Sequence, residues 1–130
     1  MTTKLHVAIY ENEGVFKHWT LLVTGSTHET IILNIMGSST RYRFEMRGPD
    51  ERESRDIIEM IHLCDVDASA TGAIIDAAEN LEIHNEFPGY NYQDYVLDLL
   101  DDLENRGIID GDAEYARKKE IVRGKQEGLD

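Results

Sequence analysis

Two short stretches of this 130-residue chain hold the side-chain types that acid–base chemistry requires. The first, residues 17–23, places His18 beside Trp19, the only tryptophan in the sequence. The second, residues 89–96, is rich in tyrosine and amide side chains and has Tyr92 near its middle. Histidine titrates near neutral pH and a phenol can donate a proton, so His18 and Tyr92 form a candidate base and acid.

Both stretches also have an ordinary structural explanation. A histidine within a strand is more often packed or solvent-facing than catalytic, and tyrosines that precede a helix usually lie at the rim of a core. In the functional interpretation, aromatic side chains line an apolar pocket between His18 and Tyr92. The candidates for that lining are Trp19, Tyr42, Phe44, Tyr90 and Tyr95.

The first half of the chain is predicted to form antiparallel strands, because apolar and polar residues alternate in short runs separated by glycine-containing turns. Four predicted strands cover about residues 4–10, 16–24, 29–36 and 41–46. His18 therefore lies on the second strand, and Asn34 lies on the third. A further apolar stretch, residues 57–66, fits a strand or a helix equally well by its period, and we interpret it as a fifth strand.

The second half of the chain is predicted to be helical. Apolar residues recur at helical spacing in residues 74–81, behind a candidate cap at 67–69, and again in residues 96–103, with Gly107 as a stop signal. A last, polar helix with a loose tail is expected from about residue 112. Strands followed by helices predict one α+β domain, in which helices pack on an antiparallel sheet of about five strands.

The charge of the chain argues against two classes of partner. The net charge is −13; residues 1–48 have a balance of +1, and residues 49–130 have a balance of −14. Such a surface repels phosphate backbones and anionic headgroups, so neither nucleic acid nor a membrane is expected as a partner. No apolar run approaches the roughly 20 residues that span a bilayer. The N-terminus lacks an apolar signal core, so a cytoplasmic location is expected.

The single cysteine, Cys64, limits the redox and metal chemistry. One cysteine cannot form an internal disulfide, a thiolate zinc site or a CxxC motif. Cys64 does not stand at a glycine-flanked helix start, and we expect a buried, unactivated thiol. His62 and His84 have no spaced ligand partners, and the acidic run at 110–114 lacks the later ligands of a calcium loop. Neither a metal nor a cofactor is therefore expected.

The order of these motifs resembles the permuted NlpC-type and lecithin:retinol acyltransferase-like cysteine enzymes, and most closely a group of small fungal proteins of that superfamily. In those enzymes a histidine on a strand precedes a nucleophilic cysteine at a helix N-terminus, where the thiol's pKa is lowered. The resemblance covers about residues 4–107 and implies a permuted papain-like fold. His18 falls on the family histidine, and the polar residue that orients it would fall near Asn34.

The helix motif of that superfamily is matched only in part. Asn91, Gln93 and Val96 agree with it, whereas Tyr95 replaces the family aromatic residue and Tyr92 occupies the position of the nucleophilic cysteine. A phenol ordinarily has a pKa near 10 and is bulkier than a thiol. Peptidase or acyl-transfer chemistry through a thiolate is therefore not expected.

These observations leave several functions open. We favour a degenerate cysteine-hydrolase-like fold that binds a small organic ligand or a protein partner. The alternative is a non-hydrolytic enzyme, of cyclase or isomerase type, with His18 and Tyr92 as base and acid and Asn34 as the orienting residue. A third is a stress or structural protein without a small ligand. The predicted ligand contacts are Trp19, Tyr42, Phe44, Tyr90, Asn91, Gln93 and Tyr95.

A closed apolar cavity between His18 and Tyr92 would favour the enzyme, and a shallow, wet cleft would favour the binding module.

Overall fold

The structure, a computed structural model, describes residues 1–11, 17–25, 29–48 and 56–126. Its strands are β1 (Thr2–Tyr10), β2 (His18–Thr24), β3 (Thr30–Met36), β4 (Arg43–Arg47) and β5 (Ile57–Asp67). A 3-10 turn, Ala68–Ala70, leads into helix α1 (Thr71–Asn80), which is followed by α2 (Tyr92–Asn105) and α3 (Ala113–Arg123). The predicted α+β class and the order of strands before helices are confirmed.

The predicted and observed elements differ mainly at their ends. β1 begins two residues before the predicted start, and β4 begins at Arg43 because Arg41 belongs to a turn in which its N–H donates to the Ser38 carbonyl at 2.8 Å. The predicted start of the second strand, Phe16, lies outside the described residues. The ambiguous stretch at 57–66 is a strand, because it pairs antiparallel with β1.

The five strands form one antiparallel sheet in the order β4-β3-β2-β1-β5, so the strand that carries His18 is central. One face of the sheet packs against the helices to form the main core, which includes Leu5, Val7, Leu21, Leu33, Ile74, Val96, Leu99 and Val122. A smaller cluster on the opposite face consists of Ala8, Tyr10, Leu22 and Ile32. Side chains alternate between the faces of a strand, so His18 and Asn34 share the second face with Leu22 and Ile32.

Helix α2 starts at Tyr92 because a capping box satisfies its first amides. The Asn91 side chain accepts a hydrogen bond from the Gln93 N–H at 2.8 Å, and the Asp94 carboxylate accepts one from the Asn91 N–H at 3.0 Å. Beyond the other end of the helix, Gly107 adopts a φ of +75°, a conformation that favours glycine. The predicted stop signal is confirmed.

Helix α3 is packed more firmly than its polar sequence predicts. Tyr115, Lys119 and Val122 are buried. The Lys119 ammonium forms ion pairs with Asp101 and Glu104 of α2, and the Tyr115 hydroxyl donates to Glu104 at 3.0 Å. These contacts hold α3 against α2. None of the described helices is long and apolar enough to cross a bilayer.

Candidate functional site

The candidate site lies where the first residue of β2 meets the first residue of α2. The ring centroids of His18 and Tyr92 are 4.5 Å apart, and the two rings meet edge to face at 69°. Aromatic rings prefer such T-shaped contacts. The predicted proximity of these side chains, 74 positions apart in the chain, is therefore observed.

Asn34 holds the imidazole of His18 from the neighbouring strand. Its Nδ2 lies 3.0 Å from His18 Nε2 and 3.3 Å from the sulfur of Met36. Asn34 is completely buried, so its amide has little freedom to follow movements of the ring. With Nδ2 assigned to this contact, Nε2 is the acceptor, and the proton of the neutral ring lies on Nδ1. Asn34 thus occupies the place expected of an orienting residue.

The imidazole of His18 is neutral at pH 7. Burial, and to a smaller extent the positive charge of Arg47, lowers the pKa of His18 to about 4. Arg47 itself forms an ion pair with Glu45, with a distance of 3.1 Å between Nε and Oε1. A neutral imidazole can accept a proton or a hydrogen bond, but it does not supply the cation that stabilises a thiolate.

Gln93 brings the start of α2 against the start of β2. Its side chain is completely buried, and its Nε2 donates a hydrogen bond to the carbonyl of Lys17 at 3.0 Å. The residues next to this bond in the two elements are Tyr92 and His18. Gln93 is therefore a positioning residue for the site, whereas the sequence assigned it to ligand binding.

Asn85 is a site residue that sequence reasoning missed. Its Oδ1 accepts a hydrogen bond from the Tyr42 N–H, and its Nδ2 donates to the Tyr42 carbonyl, both at 2.9 Å. This pair holds the Tyr42 ring 5.8 Å from that of Tyr92. A loop asparagine whose partner lies 43 residues away leaves no periodic pattern in the sequence.

A cleft of about 250 Å³ opens beside the His18 and Tyr92 rings. It is lined by Tyr10, Glu11, His18, Met36, Gly37, Asp56 and Tyr92. The ring centroids of Tyr10 and His18 are 5.8 Å apart. The Glu11 N–H donates to the Asp56 carbonyl at 2.8 Å, so these two exposed residues adjoin at the rim. The cleft is open and of mixed polarity, and it is not a closed apolar cavity.

The lining of the cleft differs from the predicted one. None of the seven predicted ligand contacts belongs to the described lining: Trp19, Tyr42, Phe44, Tyr90, Asn91, Gln93 and Tyr95. Trp19 is completely buried in the main core, because it is adjacent to His18 in the strand and so faces the helices. Tyr95 is also completely buried, and its hydroxyl donates to the Ala78 carbonyl at 2.7 Å.

Phe44 and Tyr90, two further predicted aromatic contacts, also pack against the main core. Phe44, on β4, is partly buried against the main core. Tyr90 is buried, and its ring centroid lies 5.5 Å from that of His84. These side chains shape the core beneath the site and do not contact the cleft.

Cys64 is an unactivated thiol on β5. Burial, together with the negative charges of Asp65 and Asp112, raises the pKa of Cys64 to about 11. The side chain is only partly buried and borders a second cleft of about 270 Å³ near Lys118, so it is more exposed than expected. The thiol is still a poor nucleophile at neutral pH.

His84 does have neighbours that are potential metal ligands. One donor atom from each of Glu82, His84 and Glu86 lies within 4.8 Å of the others, and His84 Nδ1 is 3.1 Å from a Glu86 oxygen. The sequence reasoning expected no such partners. Both glutamates are exposed, and solvated carboxylates of this kind are common on acidic surfaces.

Comparisons with protein-family models, with curated proteins and with solved structures find no match for this chain. A neutral imidazole held by an amide, a phenol in edge contact with it and an open cleft can bind a small polar molecule. The same pair of groups is also suited to moving a proton.

Proposed function

We propose that this chain binds a small organic molecule in the cleft beside His18 and Tyr92. The observation that carries the proposal is the cleft itself, about 250 Å³ in volume, with rings, a thioether and two acidic residues around it. Small-molecule sites are typically concave, with an apolar lining and a few polar groups that orient the ligand. The volume suits a small metabolite better than a protein segment.

The resemblance to cysteine hydrolases leads us to propose a degenerate member of that fold, a pseudoenzyme without its nucleophile. A phenol occupies the cysteine position, and the neighbouring imidazole is uncharged because its pKa is lowered to about 4. Covalent catalysis needs a nucleophile that a base or a cation activates. In this proposal Asn34 and Gln93 keep the geometry of the site, while the cleft supplies binding.

A thermal-shift screen against fractionated metabolite extracts tests this proposal. We expect a fraction that raises the Tm of the wild type and of Phe87→Ala, a control at an exposed aromatic residue outside the cleft lining. Tyr92→Ala and His18→Gln are expected to lose that shift. Equal shifts in all four proteins, or no stabilising fraction for the wild type, would contradict ligand binding in the cleft.

A second function, a non-hydrolytic enzyme of cyclase or isomerase type, is favoured by one observation. The neutral imidazole of His18 is in edge contact with the phenol ring of Tyr92, with centroids 4.5 Å apart. In this alternative Tyr92 donates a proton to the substrate, and His18 accepts one at Nε2 after giving up the hydrogen bond from Asn34 Nδ2. The open cleft favours binding over catalysis, because acid–base chemistry gains from a site that excludes water.

Incubation of the bound compound with the protein distinguishes the two functions. A product that forms with the wild type and not with Tyr92→Phe, although both bind the compound, would establish the enzyme. Recovery of the unchanged compound from the wild type supports the binding module.

A further inference from the structure

The described residues around the cleft combine aromatic surface with negative charge. Tyr10, His18 and Tyr92 supply rings, and Glu11 and Asp56 supply carboxylates. Among the described lining residues there is no lysine or arginine. Because the lowered pKa of His18 leaves its ring neutral, these residues have a formal charge of −2 at pH 7.

The backbone places Glu11 and Asp56 next to each other. The hydrogen bond of 2.8 Å from the Glu11 N–H to the Asp56 carbonyl joins the end of β1 to the start of β5. Both residues are therefore fixed at the same rim. Arg47, whose positive charge contributes to the lowered pKa of His18, forms an ion pair of 3.1 Å with Glu45 on the same strand, β4. Its charge is offset locally and is not part of the described lining.

We propose that the ligand of this cleft is a small organic cation, an amine with an apolar body. This inference rests on the proposed function. The ammonium group would face Glu11 and Asp56, because hydrogen bonds between ionised partners are the stronger ones. The apolar body would lie against the partly exposed ring of Tyr92, whose face attracts cations and buries apolar surface, while the buried ring of Tyr10 borders the cleft.

The net charge of the whole chain also favours a cationic ligand. A net charge of −13 produces a negative potential that draws cations toward the surface and repels anions. An anionic ligand would approach two carboxylates with no described lining cation to receive it. A neutral ligand would gain only the ring contacts. The described lining therefore favours cations over both alternatives.

Three probes of one shape and different charge test the inference: benzylamine, benzyl alcohol and benzoate. Each is titrated into the full chain, with NMR signals of His18 and Tyr92 as the readout. We expect benzylamine to bind about tenfold more tightly than benzyl alcohol, with benzoate weakest. Raising the salt from 50 to 500 mM should weaken benzylamine binding and leave benzyl alcohol unchanged, because salt screens exposed charges.

Isosteric variants test whether Glu11 and Asp56 cause the preference for benzylamine. Glu11→Gln combined with Asp56→Asn should bring benzylamine to the affinity of benzyl alcohol, whereas Glu82→Gln combined with Glu86→Gln removes the same charge elsewhere and should keep the preference. A preference that survives the first pair, or is lost equally in both, would overturn the inference.

The outcomes also separate this inference from the proposed function. If the three probes bind equally well to the wild type and none binds to Tyr92→Ala, the inference of a cationic ligand is wrong, but the cleft is still a binding site. If none of the three probes binds, the inference of a cationic ligand is also wrong. The thermal-shift screen with metabolite extracts then tests the proposed function by itself.

Discussion

The buried side chain of Gln93 donates a hydrogen bond of 3.0 Å to the carbonyl of Lys17, and so joins the first turn of α2 to the residue before His18. Two elements far apart in sequence meet at this bond. The bond lies next to the edge contact of Tyr92 with His18 at the candidate site.

Gln93→Leu is expected to lower the free energy of unfolding by about 0.5–1.5 kcal/mol, because the part-buried hydrogen bond to the Lys17 carbonyl is lost. Urea denaturation measures the loss, and the NMR shifts of the His18 ring should move as its contact with Tyr92 loosens. Gln126→Leu is the matched control, since Gln126 is less buried and donates to Asp94 at 2.8 Å. If both variants lose the same stability, Gln93 has no special positioning role.

His18 should make the stability of the fold depend on pH. Its pKa is lowered from 6.5 to about 4 in the folded state, so the unfolded chain binds more protons between these values. The contribution of the neutral His18 to the free energy of unfolding is fully present above pH 6.5 and is lost as the pH falls toward 4. The total loss is about 3 kcal/mol, of which about 2 kcal/mol is lost by pH 5. His6, whose pKa is also lowered, mainly by burial, adds to the same trend.

Urea denaturation at pH 7, 6 and 5 checks this dependence. His18→Gln should flatten the decline, whereas His84→Gln, a control at a partly exposed histidine, should retain it. An identical decline in His18→Gln and the wild type would show that His18 is not the group that titrates.

Cys64 should react slowly with iodoacetamide in the folded protein. Its pKa, raised from 9.0 to about 11, leaves about 100-fold less thiolate at neutral pH than an ordinary cysteine has. Mass spectrometry should show labelling at least about 100-fold faster in urea than in buffer. A native rate within tenfold of the denatured rate would contradict this and revive a thiol mechanism.

Tyr92→Cys should create a reactive thiol where the wild type has none. The new thiol would stand at a helix N-terminus, which lowers a thiol's pKa, and beside the neutral His18 ring, which would act as a general base rather than as a cation. Intact-protein mass spectrometry with an activated ester should show an acyl adduct on Tyr92→Cys, and no stable adduct on the Tyr92 hydroxyl of the wild type. Adding His18→Gln should slow acylation of the new cysteine, with Cys64 as the internal reference. An adduct on wild-type Tyr92 would refute the absence of covalent chemistry.

Asn85→Ala should destabilise the chain by about 1–3 kcal/mol, because two hydrogen bonds to the Tyr42 backbone are lost together. The Tyr42 ring should then no longer be held beside Tyr92. Asn80→Ala is the control, since its side chain is exposed and donates to the Asp76 carbonyl of its own helix. Thermal denaturation compares the two, and a Tm for Asn85→Ala that equals the control would remove Asn85 from the site.

Local order was determined by the sequence itself. Alternation in the first half and a period of 3.6 in the second predict the strands and helices, and Gly107 ends α2 as its position indicates. The resemblance to cysteine enzymes predicted that His18 and Tyr92 meet and that Asn34 lies beside His18, and the structure brings these side chains together. The strands, the helices and the stop signal depend on residues close in sequence or on a pattern that spans whole elements.

The tertiary structure alone decided which side chains surround the site. Residues 57–66 form a strand because β1 provides backbone partners, which their own period does not encode. Trp19 and Tyr95 were predicted to line a pocket, yet both are in the main core, because neighbours along a strand face opposite sides of the sheet and the Tyr95 hydroxyl finds a buried acceptor. Glu11 and Asp56 line the cleft because two strand ends adjoin in space, and adjacency of this kind arises only when the sheet has assembled.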